Sequence, residues 1–168
     1  GPFLLTELLL PLLKKATEAR IVIVSSDLHN RSGPLDLSKI DDESEFGRFA
    51  PYNRSKLANV MHARDLARRL HDSGARHVTV NSLHPGVVAT ELSRHMGPKA
   101  LRSLTSVFMK SEKDGAHTSL YLAMASEIKG MSGGYYSDCA RVKENKVARD
   151  DEECKKLYEY SKKAVGLE

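Results

Sequence analysis

Arg20-Ile21-Val22-Ile23-Val24-Ser25-Ser26 decides the fold. Four consecutive β-branched residues stand between polar neighbours, with no alternation of polar and apolar positions. That is the composition of a strand covered on both faces, as in a parallel sheet. Val78-Thr79-Val80-Asn81-Ser82-Leu83 is a second β-rich run, and it stops at His84-Pro85-Gly86, where the backbone must turn. Between the two runs lies the strongest helical signal. Leu57, Val60, Met61, Leu66 and Leu70 recur at helical intervals within residues 52–73, and Gly74 ends the pattern.

The same alternation extends outward. Pro2 suits the first turn of a helix, and Leu4, Leu5, Leu8, Leu9, Leu12 and Leu13 keep helical spacing to about Ala16. Their apolarity predicts a buried helix. Asp114–Ala125 reads as a helix with Ala116, Leu120, Leu122 and Ala123 directed inward. Gly133-Gly134-Tyr135-Tyr136 predicts a turn into a short third strand. Asp150–Ala164 predicts a last helix, acidic in its first turn and lysine-rich near its end, as the helix dipole favours. Helix, strand, helix, strand, helix, strand, helix is the order of a parallel α/β sheet with right-handed crossovers. Two stretches interrupt it. Residues 27–50 form a long polar loop with a short helical turn near Asp41–Phe46. Residues 91–111 hold two short helices around Gly97-Pro98. A loop as long as the first is usually functional or floppy in a compact domain.

Composition narrows the function. The 168 residues suit one domain, and 40% apolar with 29% charged residues is globular rather than disordered. The net charge of +4 is mild, and the basic residues are scattered among acidic ones, which argues against a nucleic-acid partner. Cys139 and Cys154 form no Cys-x-x-Cys pair and have no histidine at metal spacing, so two free thiols and no metal are expected. Phe3–Leu13 is too short to span a bilayer and lacks the flanks of a signal peptide. The chain opens on Gly1 rather than Met, which points to processing, a cleaved tag or a start inside a longer protein.

The chemistry gathers at Tyr52-Asn53-Arg54-Ser55-Lys56. Residues four apart share one helix face. A phenol ordinarily titrates near 10 and is a poor base at neutral pH. A neighbouring ammonium favours the charged phenolate and so brings such a group toward the working pH of a general acid–base. A Tyr-x-x-x-Lys alone is common on helix surfaces. Here a strand ends upstream at Ser25-Ser26, and a second ends at His84-Pro85-Gly86. Ligands of open α/β sheets bind outside the carboxyl ends of strands, so these segments are expected to converge on one cleft.

Taken together, Arg20–Ser26, Tyr52-Asn-Arg-Ser-Lys-Leu-Ala-Asn59, His84-Pro-Gly-Val-Val-Ala-Thr-Glu91, Ser132-Gly-Gly-Tyr-Tyr-Ser-Asp-Cys139 and the opening Gly1–Pro11 resemble the short-chain dehydrogenase/reductase family. Within it they resemble the retinol dehydrogenase-like branch, whose long spacing between serine and tyrosine this chain shares. The resemblance implies an α/β fold: the C-terminal half of a Rossmann-like doubly wound parallel sheet, with about three strands and flanking helices. Residues 1–168 would form a single partial domain. The nucleotide-binding half would lie outside these residues, since Gly33, Gly47 and Gly74 are isolated and residues 1–168 hold no glycine-rich phosphate loop.

By the same resemblance, Ser26 orients the substrate oxygen, Tyr52 exchanges the proton, and Lys56 assists it and holds the nicotinamide ribose. Pro85, Gly86, Val88 and Thr90, with Tyr52 and Lys56, contact the cofactor, for which NADP is favoured over NAD. Residues 91–113 form a substrate lid. Its Leu92, Met96, Leu101, Leu104, Val107, Phe108 and Met109 suit a hydrophobic substrate, or serve only to pack the lid on the core. The implied function is interconversion of an alcohol and an aldehyde or ketone, a retinoid or similar hydrophobic carbonyl, by hydride transfer. The fragment by itself would be inactive and would bind cofactor weakly. The alternative is a truncated or degenerate, non-catalytic relative acting through protein contacts. A homodimer, an intracellular location and membrane association only through a missing N-terminal segment complete what the resemblance suggests. The cytoplasm, endoplasmic reticulum and mitochondrion are all compatible with it.

Overall fold

The computed structural model describes residues 1–40, 42, 44, 47, 49–86 and 112–167. Val88, Thr90, almost all of the expected lid and most of the expected turn near Asp41–Phe46 lie outside the described residues. The elements are α1 (Pro2–Leu13), β1 (Ala19–Val24), a 3₁₀ turn (Asp27–Arg31), α2 (Ala50–Asp72) and β2 (Val78–His84). They continue with α3 (Glu112–Met124), β3 (Tyr135–Ser137), β4 (Ala140–Val142), a second 3₁₀ turn (Val147–Arg149) and α4 (Asp151–Val165).

The described sheet runs in the order β1-β2-β3-β4. β1 and β2 are parallel over their whole length, Ala19 opposite Val78 through Val24 opposite Leu83. β3 joins β2 in parallel, with Ser82 opposite Tyr135. β4 was not expected from the sequence. It folds back antiparallel on β3 through Asp138 and Cys139, which take positive φ angles of 52° and 60°. Those are the angles of a tight two-residue hairpin, which usually advertises itself with Asn-Gly or Asp-Gly. Asp138-Cys139 carries no such glycine.

Helices cover both faces of the sheet. On one side Ala63, Leu66 and Leu70 of α2 pack with Ile23, Val78 and Val80 and with Leu10 of α1. Leu57, Val60 and Met61 extend that layer to Tyr135, Cys154 and Leu157. On the other side Leu122 and Ile128 pack with Leu83 and Tyr136. Burying each such side chain is worth about 1.5–3 kcal/mol. The helix ends follow their sequence signals. Asp150 caps α4 by accepting from the amides of Glu152 and Glu153 (3.0 and 3.2 Å), and Gly166 closes it at φ 70°.

Three expectations need correction. β1 is not covered throughout: Ala19 and Ile23 are buried, but Val24 is 47% exposed. β2 is the covered strand, with six residues buried. β1 ends the described sheet and has a paired neighbour on one side only. α1 is not a buried helix either. Leu10 is buried, while Leu5 and Leu12 are more than 60% exposed. Its leucines wrap around more than one face, and only one face meets the sheet layer. In α3, Leu122 points inward as expected, but Leu120 and Ala123 face out, and Gly115 and Thr118 complete the inner face. That face follows i, i+3, i+7 spacing, which residue size alone does not reveal.

Candidate active site

The carboxyl ends of β1 and β2 and the start of α2 meet at one edge of the sheet. Two side-chain bonds fasten β1 to α2 there. The Ser25 hydroxyl, buried, donates to the carbonyl of Lys56 at 2.7 Å. The Asn59 amide donates to the carbonyl of Val24 at 3.2 Å. The backbone N–H of Ser25 donates to the Leu83 carbonyl at 2.7 Å and so extends the ladder to β2. Val24 and Ser25 at the strand end are thus tied to Lys56 and Asn59 of α2 by two bonds.

Ser26 follows with extended backbone (φ −158°, ψ 152°) and is buried. Its Oγ accepts the amide of Leu28 at 3.3 Å and caps the 3₁₀ turn. Accepting that bond leaves the hydroxyl proton available to donate. Tyr52 stands in the first turn of α2 and is 39% exposed, open to a ligand. Pro51 beside it sits in the first helical turn, where its missing N–H costs nothing. The Lys56 ammonium lies 5.4 Å from the centroid of the Tyr52 ring, within cation–π range. The i, i+4 pairing therefore forms, and Lys56 is half-buried.

β2 ends at His84, and the chain turns through Pro85 to Gly86 at φ 90°, a conformation open to glycine and rarely to other residues. Ser26, Tyr52, Lys56, Pro85 and Gly86 all fall at this end of the elements that carry them. Among the described residues no group of three or more metal-ligating side chains occurs. Cys139 and Cys154 are free thiols.

Sequence reasoning passed over Ser25, Asn59 and His29. Ser25 and Asn59 were visible only as members of longer motifs. His29 is fully buried behind Ser26, in a loop whose polarity gave no sign of burial. A separate cleft between α1, α2 and α4, lined by Phe3, Ala58, His62, Leu157 and Tyr158, does not include Ser26, Tyr52 or Lys56.

Residues 1–100 match the family model described as short chain dehydrogenase. The chain is 43% identical over 172 residues to retinol dehydrogenase 14 of Homo sapiens, covering 99% of this chain and 50% of that protein. An uncharacterised protein from Mycobacterium Paratuberculosis has the same fold. Its TM-score is 0.69 at 24% identity, over 96% of this chain and 54% of that one. A short chain dehydrogenase from Shigella flexneri 2A str. 301, complexed with NADP, aligns at TM-score 0.56 and 23% identity, over 82% of this chain and 48% of its own. The chain spans about half the length of the curated relatives it matches. The match to the family model and the pairing of a strand-end serine with a helical Tyr-x-x-x-Lys agree: the chain belongs to the short-chain dehydrogenase family.

Proposed function

We propose that this chain is the catalytic and substrate-binding portion of an oxidoreductase that interconverts an alcohol and an aldehyde or ketone. The observation that carries the reading is the double tie between β1 and α2. The Ser25–Lys56 and Asn59–Val24 bonds fix the strand end that bears Ser26 against the helix that bears Tyr52 and Lys56. A hydroxyl, a phenol and an ammonium are then held on one framework.

The roles follow from the donors each residue has. Ser26 Oγ donates to the substrate oxygen and holds it. Tyr52 gives that oxygen a proton in the reductive direction and takes one in the oxidative direction. Lys56 favours negative charge on the phenol oxygen by simple attraction. A nicotinamide nucleotide agrees with Gly86, which at φ 90° carries no Cβ and so allows a ligand to approach the backbone at the end of β2. Tyr52, Lys56, Pro85 and Gly86 would hold it, with Val88 and Thr90 from outside the described residues. When bound, that cofactor would give a hydride to the carbonyl carbon in the reductive direction and take one from the alcohol carbon in the oxidative direction.

NADP is the preferred form, since a protein of this fold was crystallised with it. A hydrophobic substrate such as a retinoid agrees with the name of the human relative and with the apolar residues of segment 91–113. The half-length match supports one partial domain, with phosphate-binding elements supplied from outside residues 1–168. A homodimer and an intracellular site, with any membrane attachment made elsewhere, belong to the same reading. Among the described residues no helix is long and apolar enough to cross a membrane.

Turnover of all-trans-retinal by the full-length polypeptide, with NADP(H) and NAD(H) in turn, tests the reading. Tyr52→Phe is expected to lower kcat by at least about 100-fold, within the range for general acid–base catalysis. Intact turnover in that variant overturns the proton-transfer role. A nicotinamide-fluorescence titration of residues 1–168 alone is expected to give no micromolar binding. The second reading is a truncated or degenerate non-catalytic relative acting through protein contacts. Transcript sequence upstream of Gly1 that lacks a glycine-rich loop would select it.

A further inference from the structure

His29 is fully buried in the 3₁₀ turn that follows Ser26. Its Nδ1 lies 2.8 Å from the Ser26 carbonyl oxygen. Its Nε2 lies 3.1 Å from the backbone nitrogen of Asn145, whose N–H points at it. An amide N–H can only donate, so Nε2 must be the unprotonated acceptor. The ring proton is then on Nδ1 and is donated to Ser26. The Ser26 carbonyl also accepts the backbone N–H of His29 at 3.0 Å, so one residue holds it twice.

Asn145 closes the arrangement. Its side-chain nitrogen donates to the carbonyls of His29 (3.0 Å) and Ser32 (2.9 Å). Its Oδ1 accepts the amide of Val147 at 2.9 Å. The Tyr135 ring packs against the imidazole with centroids 4.5 Å apart. The backbone just past β1 is thereby locked to the segment between β4 and α4, more than a hundred residues away in the chain.

We propose that His29 is a positioning residue for Ser26: as the neutral, Nδ1-protonated imidazole it bridges the Ser26 carbonyl to the Asn145 amide and so fixes the direction of the Ser26 hydroxyl. The proposal rests on the reading of Ser26 as the group that holds the substrate oxygen. Its physical basis is that Ser26 is the last extended residue before the turn. A rotation of its backbone would swing Oγ, and a misplacement of about 1 Å at a reacting centre can cost about 100-fold in rate. A second proton on the ring would set Nε2–H against Asn145 N–H. Burial pushes the His29 pKa down, opposed by the Ser26 carbonyl and by the nearby carboxylates of Asp27 and Glu144. The neutral form is therefore the one present at neutral pH.

The test has two arms. In residues 1–168 labelled with ¹⁵N-histidine, long-range proton–nitrogen correlation is expected to give the Nδ1–H tautomer for His29, unchanged from pH 8 to 6. The signal is assigned by its loss in His29→Asn. An Nε2–H tautomer, or titration near 6.5, overturns the bridge. In the full-length polypeptide, His29→Asn keeps a donor where Nδ1 stood, and His29→Gln keeps an acceptor where Nε2 stood. Retinal turnover is expected to fall about 10- to 100-fold in kcat for His29→Gln, with KM within about twofold, and to stay within about threefold of the parent for His29→Asn. Equal losses in both variants, or none, overturn the positioning role while the Tyr52→Phe control still lowers kcat by at least about 100-fold. Intact turnover in Tyr52→Phe overturns instead the catalytic reading on which the proposal stands.

Discussion

Replacing His62 with phenylalanine isolates a pH-dependent loss of stability. His62 lies on α2, is 8% exposed, and meets the edge of the Phe3 ring at a centroid distance of 5.2 Å. Its Nε2 is buried and has no hydrogen-bond partner among the described residues. Burial pushes its pKa from the ordinary 6.5 down to about 4; Arg69 adds to that, while Glu7 and Asp65 oppose it. The sign follows from proton counting. Between pH 6.5 and 4 the unfolded chain binds a proton at this position and the folded chain does not, so stability rises with pH across that window. The contribution is complete above about pH 6.5 and is lost as the pH falls toward 4. Linkage across the 2.5-unit gap gives a loss of about 1 kcal/mol at pH 5.5 and about 2–3 kcal/mol at pH 4.5. Phenylalanine fills a similar volume and cannot take up a proton. Urea titrations followed by circular dichroism at pH 7.5, 5.5 and 4.5 measure the effect as the difference between the two proteins, which cancels the common carboxylates. The His62→Phe protein is expected to lose about 1 kcal/mol less than the parent on going to pH 5.5. Identical pH dependence in both proteins would refute the buried, neutral His62.

Three further outcomes are expected. Ser25→Ala removes the 2.7 Å bond to the Lys56 carbonyl and is expected to cost about 1 kcal/mol, seen as a fall of about 2–4 °C in Tm by calorimetry. An unchanged Tm would mean that the Ser25–Lys56 bond contributes nothing to the tie between β1 and α2. Gly134→Ala puts a Cβ 2.6 Å from Cε2 of the buried Tyr136 and 3.3 Å from Asn81 Oδ1; a loss of about 1–3 kcal/mol in urea unfolding is expected, and a neutral result would show that the ring can yield. Burial pushes the Cys154 thiol up to about 12, whereas Cys139 is only half-buried. One thiol per chain is expected to react promptly with a disulfide reagent at pH 8, and the second only after denaturation. Equal rates for the two would contradict the buried placement of Cys154.

Much of this arrangement is legible in the sequence because it is local. The Ile21–Val24 and Val78–Leu83 runs announce strands through their side chains. Asp150 and Gly166 announce the ends of α4 through capping chemistry. The Tyr52–Lys56 pairing follows from helix periodicity alone. What escaped depends on contacts between residues far apart in the chain. The seven leucines of α1 specify a helix, but which of them are covered depends on what packs against it, and Leu5, Leu8 and Leu12 stay exposed. α3 hides Thr118 and exposes Leu120 because its orientation on the sheet, not side-chain polarity, sets the inner face. β4 rests on two residues in left-handed conformation that carry no glycine signal.

The sequence by itself determined the order of helices and strands, the membership in the short-chain dehydrogenase family, and the chemical types available for proton transfer, because these depend on residues near one another along the chain. Only the tertiary structure decided which strand is covered on both faces, how Ser25 and Asn59 tie the strand end to the helix, and that His29 and Asn145 meet behind Ser26. Hydrogen bonds between residues 29 and 145 exist only once the sheet has brought the chain's distant segments together. No periodicity in the sequence records them.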